Sequence, residues 1–225
     1  MSGVFGLGFL KISLATRFSK FSYCIGNVLD PNYIHNKLVL GTGGWTEGDS
    51  TPLQVIDGRY HVVLENISIG EKSLPIDLNQ FRWINGEEKT GVIIDSGSVA
   101  TYLIKEGYDA VLKEVHNLLD TWLTEIHETE DALCYRGTIN EDLVGFPTVT
   151  FHFCGGAELV LETHNLFFQF LPNELCLAVQ PSYANKKLGN LSIIGLFAQQ
   201  NYNVAYDIFG NTVSFERIDC ELLDE

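Results

Sequence analysis

The stretch that most constrains this chain is Gly91-Val-Ile-Ile-Asp-Ser-Gly-Ser98, followed by Val99-Ala-Thr-Tyr-Leu103. Val92, Ile93 and Ile94 make an apolar, β-branched run, the pattern of a buried strand. Asp95 falls where that strand stops. Ser96 and Ser98 put hydroxyl donors beside the carboxylate, and Gly97 permits a tight turn that other residues resist. A carboxylate at the end of a buried strand, ringed by donors, can be held ionised and aimed. The plain alternative is turn chemistry, since Asp and Ser bond their own backbone and Gly supplies unusual dihedrals. The surroundings of the tetrapeptide decide between the two.

A chain of 225 residues suffices for one large or two small domains. It is 45% hydrophobic, enough for a core, and its 14 Phe, 9 Tyr and 21 Gly lean towards β structure. The net charge of −15 argues against a nucleic-acid backbone or an anionic membrane as partner. It suits work at low pH, where carboxylates lose charge, and equally suits simple solubility. No apolar run approaches the roughly eighteen residues of a membrane span.

Cys24, Cys134, Cys154, Cys176 and Cys220 are widely spaced, without a C-x-x-C pair. The His residues show no His-Glu-x-x-His, so no metal site is expected. An odd cysteine count suits two disulfides and one free thiol, which calls for an oxidising compartment. Met1-Ser-Gly-Val-Phe-Gly-Leu-Gly8 conflicts with that, because it lacks the basic region and continuous apolar core of a secretory signal.

Along the chain, Gly3 to Gly8 has the wrong glycine order for a dinucleotide fingerprint. Lys37-Leu-Val-Leu-Gly41 reads as a strand and Gly41-Thr-Gly-Gly44 as a turn. Tyr60 to Gly70 alternates as a strand and its continuation. Ile104 to Ile126 carries apolar residues at helical spacing and predicts one long amphipathic helix, with His116 and His127 on its surface. Thr129 to Asp131 reads as an acidic loop. From Phe146 onward the pattern is β: Pro147–Phe153, Glu158–Leu161, Leu166–Phe168, Leu175–Val179, Ser192–Gly195 and Asn203–Phe209. Gly210-Asn211 predicts a two-residue hairpin turn before Thr212–Phe215.

Hydrophobic-hydrophobic-Asp-Ser-Gly-Ser followed by a helix resembles the active-site loop of pepsin-like aspartic proteases. Leu191-Ser-Ile-Ile-Gly195 resembles the segment that crosses beside that loop. Lys20-Phe-Ser-Tyr-Cys24, Gln199-Gln-Asn-Tyr202 and Tyr206-Asp207 resemble the plant nepenthesin-like branch, which is close to the xylanase-inhibitor-like proteins. The likeness runs from Gly3 to Cys220.

It implies a mainly β fold, a ψ-looped β-barrel lobe with one amphipathic helix after the active-site loop. It divides the chain into 1–57, a remnant of the N-terminal lobe with the inter-lobe segment, and 58–225, the C-terminal lobe. It assigns Asp95 as a catalytic carboxylate framed by Ser96, Gly97 and Ser98, with Ile193, Ile194 and Gly195 as the ψ-loop partner. It pairs Cys24 with Cys220 and Cys134 with Cys176, leaving Cys154 as the extra thiol. It implies no cofactor, a peptide or protein substrate, and a secreted or vacuolar location. Asn66-Ile-Ser68 and Asn190-Leu-Ser192 match the N-glycosylation sequon.

Two departures stand out. Ser98 replaces the usual Thr but keeps its hydroxyl. More seriously, the family uses two aspartates, one per lobe, and only one Asp-Ser-Gly-Ser is present. The rest of the N-terminal lobe, with its aspartate and flap tyrosine, would be a missing partner. An isolated monomer is therefore expected to be inactive or nearly so. The alternative is a non-catalytic binding or inhibitor protein on the same fold. A symmetric homodimer is disfavoured, because the family's C-terminal lobe is shaped to meet a different partner.

Overall fold

A computed structural model describes residues 5–41, 47–87, 89–129 and 132–224. The turn expected at 41–44 and the end of the acidic loop at 130–131 lie outside the described residues, apart from Gly41 itself. Among the described residues the architecture is mainly β, with four sheets. Among the described residues no helix is long and apolar enough to cross a membrane.

The sheet that carries Asp95 has six strands, in the order Val179–Pro181, Thr101–Leu103, Asn190–Ile194, Thr90–Ile94, Arg59–Val62, Gln54–Ile56. The Asn190–Ile194 strand lies between the two arms of the Asp95 loop. It runs parallel to Thr90–Ile94, with Ile193 opposite Ile93 and Ile194 opposite Ile94, and meets Tyr102 antiparallel through Ile193. This is the ψ arrangement that the resemblance implied. Thr90–Ile94 is buried along its whole length, which explains its unbroken apolar run in place of an alternating one.

A five-stranded sheet, Lys37–Leu40, Lys20–Ile25, Tyr202–Asp207, Thr212–Arg217 and Asp49–Pro52, lies beneath the loop. It draws strands from both sides of residue 57, so the first quarter of the chain is woven into the rest. The Cys24–Cys220 bridge joins residues 196 apart and ties this sheet to the chain's last turn. Closing so long a loop is worth about 2–4 kcal/mol. Cys134–Cys176 links two residues that already face each other across antiparallel strands. Both bridges are those the resemblance implied, and Cys154 is the free cysteine.

The helix is shorter than its apolar pattern predicts. It spans Lys105–Leu119 and buries Tyr108, Val111, Val115 and Leu119, a stripe at helical spacing. Residues Thr124–Thr129 then form a strand paired with Ala132–Arg136. Periodicity alone cannot see that partner, and strand pairing overrides a helical pattern that Trp122, Leu123 and Ile126 happen to continue. His127 therefore lies on a strand. His116 is half-buried, with Nδ1 3.2 Å from the Asp120 carboxylate and 3.1 Å from the Tyr135 hydroxyl. Burial would raise the Asp120 carboxyl, but its bonds from Tyr135 and His116 outweigh that and hold it low. The hairpin at residues 207–212 also differs from expectation. Asp207 pairs with Thr212, leaving the four residues 208–211 in the turn, because the Asp207 side chain accepts a bond from the Gly210 N–H at 2.8 Å.

Candidate active site

Asp95 stands half-buried at the exposed end of the Thr90–Ile94 strand. Its backbone N–H still donates to Ile194 at 3.1 Å, so the ladder fixes the main chain up to the carboxylate itself. The Gly97 N–H donates to Oδ1 at 2.9 Å. The Ser98 hydroxyl donates to Oδ2 at 2.8 Å. Each carboxylate oxygen thus has one donor from the following turn, which orients the group as the sequence suggested. Serine supplies this bond as threonine would.

The three ψ-loop residues come to the same place. Gly195 is the one that must lack a side chain. A Cβ there would run into the carbonyl oxygen of Ala100 and lie 2.9 Å from that of Ser98. Its N–H donates to the Thr101 hydroxyl at 3.2 Å, and the next two N–H groups, of Leu196 and Phe197, donate to Ser98 and Val99. The two loops are therefore stitched together through backbone that only glycine lets approach. Gln199 locks the arrangement, because its buried amide donates to Ile194 at 2.8 Å and Gly195 at 3.1 Å.

Behind Asp95 lies a cavity of about 490 Å³, and its wall includes Tyr23, Tyr60 and Tyr206. Tyr23 donates to the Gln199 carboxamide oxygen and lies 3.2 Å from the Tyr206 hydroxyl. Tyr60 donates to the Leu7 carbonyl at 2.6 Å, which brings the glycine-rich start of the chain to the cavity's edge. Phe21 stacks on Tyr206 with centroids 4.5 Å apart. Burial pushes the Tyr23 hydroxyl well above its ordinary value, with the Asp95 charge adding to it. Tyr206 is raised in the same way, and burial alone raises Tyr60. All three stay neutral hydroxyls next to the carboxylate.

Sequence reasoning marked the segments holding Tyr23, Tyr206 and Gln199 as family motifs but gave these side chains no role. The signal was a buried-strand tyrosine in each segment, and only the fold brings them under one aspartate. The two sequon asparagines lie elsewhere. Asn190 is exposed at the start of its strand, while Ser192 is fully buried and accepts a bond from the Ile104 N–H at 3.1 Å. Asn66 is half-buried and donates to Ser73 at 2.9 Å.

Residues 59–217 match the family described as Xylanase inhibitor C-terminal. The chain is 33% identical over 223 residues to Aspartyl protease UND of Arabidopsis thaliana, covering 98% of this chain and 52% of that protein. It is 29% identical to aspartic proteinase nepenthesin-1 of Nepenthes gracilis, covering 97% of this chain and 50% of the relative. The chain thus spans about half the length of the curated relatives it matches. Among solved structures, basic 7S globulin from soybean superposes with a TM-score of 0.72 at 19% identity, covering 95% of this chain and 58% of that one. Conglutin gamma from lupine seeds superposes with a TM-score of 0.71 at 17% identity, covering 99% and 59%. With the Asp95 loop, its crossing Ile193-Ile-Gly195 strand and these likenesses together, the chain belongs to the pepsin-like aspartic protease family, in its plant branch.

Proposed function

We propose that this chain contributes one catalytic aspartate, Asp95, to an aspartic endopeptidase whose second aspartate comes from a lobe not included in these 225 residues. The observation that carries this reading is the pair of donors, Gly97 N–H and Ser98 hydroxyl, one on each Asp95 oxygen. A carboxylate kept only for structure needs no such aim at the mouth of a cavity.

The chemistry requires a pair. Two carboxylates about 3 Å apart cannot both ionise, so they share a proton; the aspartic-protease dyad is itself the reference case of this splitting. The ionised member takes a proton from water as the water attacks the peptide carbonyl. The protonated member donates to the carbonyl oxygen. Asp95 alone cannot be base and acid in the same step. The two disulfides and the exposed Asn190 support a secretory, oxidising location for the protein.

The test is an acid-range peptide-cleavage assay of this chain alone and of the chain joined to an aspartate-bearing N-terminal lobe. The joined protein cleaves, and Asp95→Asn lowers its rate about a thousandfold or more. The chain alone gives no cleavage above the Asp95→Asn background. Equal cleavage by the wild type and the Asp95→Asn form of the joined protein sinks the proposal.

A second reading has its own support. The family description matched by residues 59–217 is that of an inhibitor domain. On that reading the chain binds another protein, and Asp95→Asn leaves that binding unchanged while no cleavage appears in any combination.

A further inference from the structure

The strand Arg59–Val62 presents Tyr60 to the Asp95 cavity and His61 to the opposite face of the sheet. His61 faces Ile93 across the ladder, two residues before Asp95. It lines a second cavity of about 490 Å³, together with Gln54, Leu64, Phe81, Arg82 and Trp83. None of these residues lines the Asp95 cavity.

The polar groups of this second cavity are unusual. His61 is only 6% exposed, and its Nδ1 is buried without a hydrogen-bond partner. A neutral imidazole offers one donor and one acceptor, and a buried nitrogen without a partner is costly. Burial, and then the nearby Arg59 charge, push the His61 pKa down to about 4, against a smaller opposing pull from Asp57. The ring is therefore neutral at ordinary pH. Arg82, in contrast, is exposed and makes no ion pair among the described residues. A guanidinium at a cavity rim without an ion pair among the described residues is notable in a chain with a net charge of −15. Trp83 is 38% exposed beside it. Phe81 and Leu64 supply an apolar wall.

We propose that this cavity binds a small aromatic carboxylic acid whose ring carries a hydroxyl or N–H donor. The carboxylate pairs with Arg82 at the rim, where a guanidinium favours planar oxyanions. The ring lies between Trp83 and the Phe81–Leu64 wall. The ring's own donor reaches the His61 imidazole once a small side-chain shift uncovers the enclosed Nδ1. The volume falls in the range of about 300–1,000 Å³ typical of small-molecule sites, and an apolar pocket with a few convergent polar groups is their usual form. A protein surface could not reach the buried imidazole without inserting a side chain of this same chemistry.

The experiment is an amide-shift NMR titration of the full chain near neutral pH. The probes are para-hydroxyphenylpropanoate, phenylpropanoate, which lacks the hydroxyl, and para-hydroxyphenylpropanamide, which lacks the charge. The first should bind saturably, with shifts centred on residues 60–64 and 81–83. Losing either the hydroxyl or the charge should weaken binding about tenfold. Arg82→Gln should make the protein indifferent between acid and amide. His61→Leu should make it indifferent to the hydroxyl, and His61→Gln serves if the leucine form does not fold. Asp95→Asn should bind as the wild type does. No saturable binding overturns the proposal. So do shifts centred on the Asp95 loop, or variants at residues 61 and 82 that still discriminate among the probes as the wild type does.

Discussion

Tyr60 and His61 are neighbours on one strand, yet their surroundings are built to opposite rules. On the Tyr60 side, Tyr23 and Tyr60 donate to protein acceptors, Tyr206 has Tyr23 beside it, and the aromatic rings stack. On the His61 side, among the described residues, a buried nitrogen has no partner and Arg82 makes no ion pair. A fully satisfied buried network is rigid, which is what aiming a carboxylate requires. An unsatisfied buried group is a standing cost, and such costs persist where something outside the protein repays them. One strand thus carries a closed frame on one face and an open one on the other.

The contrast can be broken most severely at its two glycines. Gly195→Ala places a Cβ against the Ala100 carbonyl oxygen, backbone that cannot swing aside. A loss of about 3 kcal/mol or more is expected in urea unfolding. Gly91→Ala, on the His61 side, meets the His61 Nδ1 and the Trp83 Cβ at 3.1 Å and has φ +88°. It should cost about 2 kcal/mol, less than the first, because its contacts at 3.1–3.2 Å are far looser than the 2.0 Å collision at Gly195. The reverse order would mean that the ψ loop is the softer of the two faces.

The pH dependence sharpens the contrast further. The His61 pKa is about 4 in the fold, below the ordinary 6.5. The unfolded chain therefore binds more protons between those values. The stability that neutral His61 confers is complete above pH 6.5 and is lost as pH falls towards 4. His61→Phe should abolish that loss, about 3 kcal/mol across the window. The check is the difference between the two proteins' urea midpoints, since the carboxylates titrate equally in both. A parallel decline in both would show that His61 is not held neutral.

Smaller effects probe the satisfied face. Tyr23→Phe leaves the Gln199 carboxamide oxygen buried without its donor. It should lower stability by about 1–2 kcal/mol and loosen the ψ loop, seen as faster exchange of the Gly195 amide. Ser98→Ala removes one of the two side-turn donors to Asp95. About 1 kcal/mol is expected, with Ser98→Thr close to wild type. If alanine and threonine behave alike, the Ser98 hydroxyl does not brace the loop.

Much of the Asp95 face was legible in the residues themselves. Val92-Ile-Ile-Asp-Ser-Gly-Ser98 announces a buried strand ending in an aimed carboxylate, and the structure supplies the expected hydroxyl from Ser98, while the second donor is the Gly97 N–H and not the Ser96 hydroxyl. Gly195 was legible as a motif but not as a necessity, since its collision partner Ala100 belongs to a different loop. The helix was legible in type but not in length. Its apolar pattern continues past Leu119, and only the pairing of Thr124–Thr129 with Ala132–Arg136 shows where it stops. The pairing of four cysteines came from family likeness, because spacing alone leaves connectivity open.

The sequence by itself determined the local chemistry: which strands are buried, where a carboxylate meets hydroxyls, and which family the motifs resemble. These are short-range patterns, written in periods of two and three to four residues and in the turn residues that interrupt them. The tertiary structure alone decided which distant side chains share a space. Tyr23, Tyr60 and Tyr206 lie under Asp95, and His61 and Arg82 border one cavity, because strand order and register set their positions. That order is fixed by long-range backbone pairing, which leaves no periodic trace in the residues it brings together.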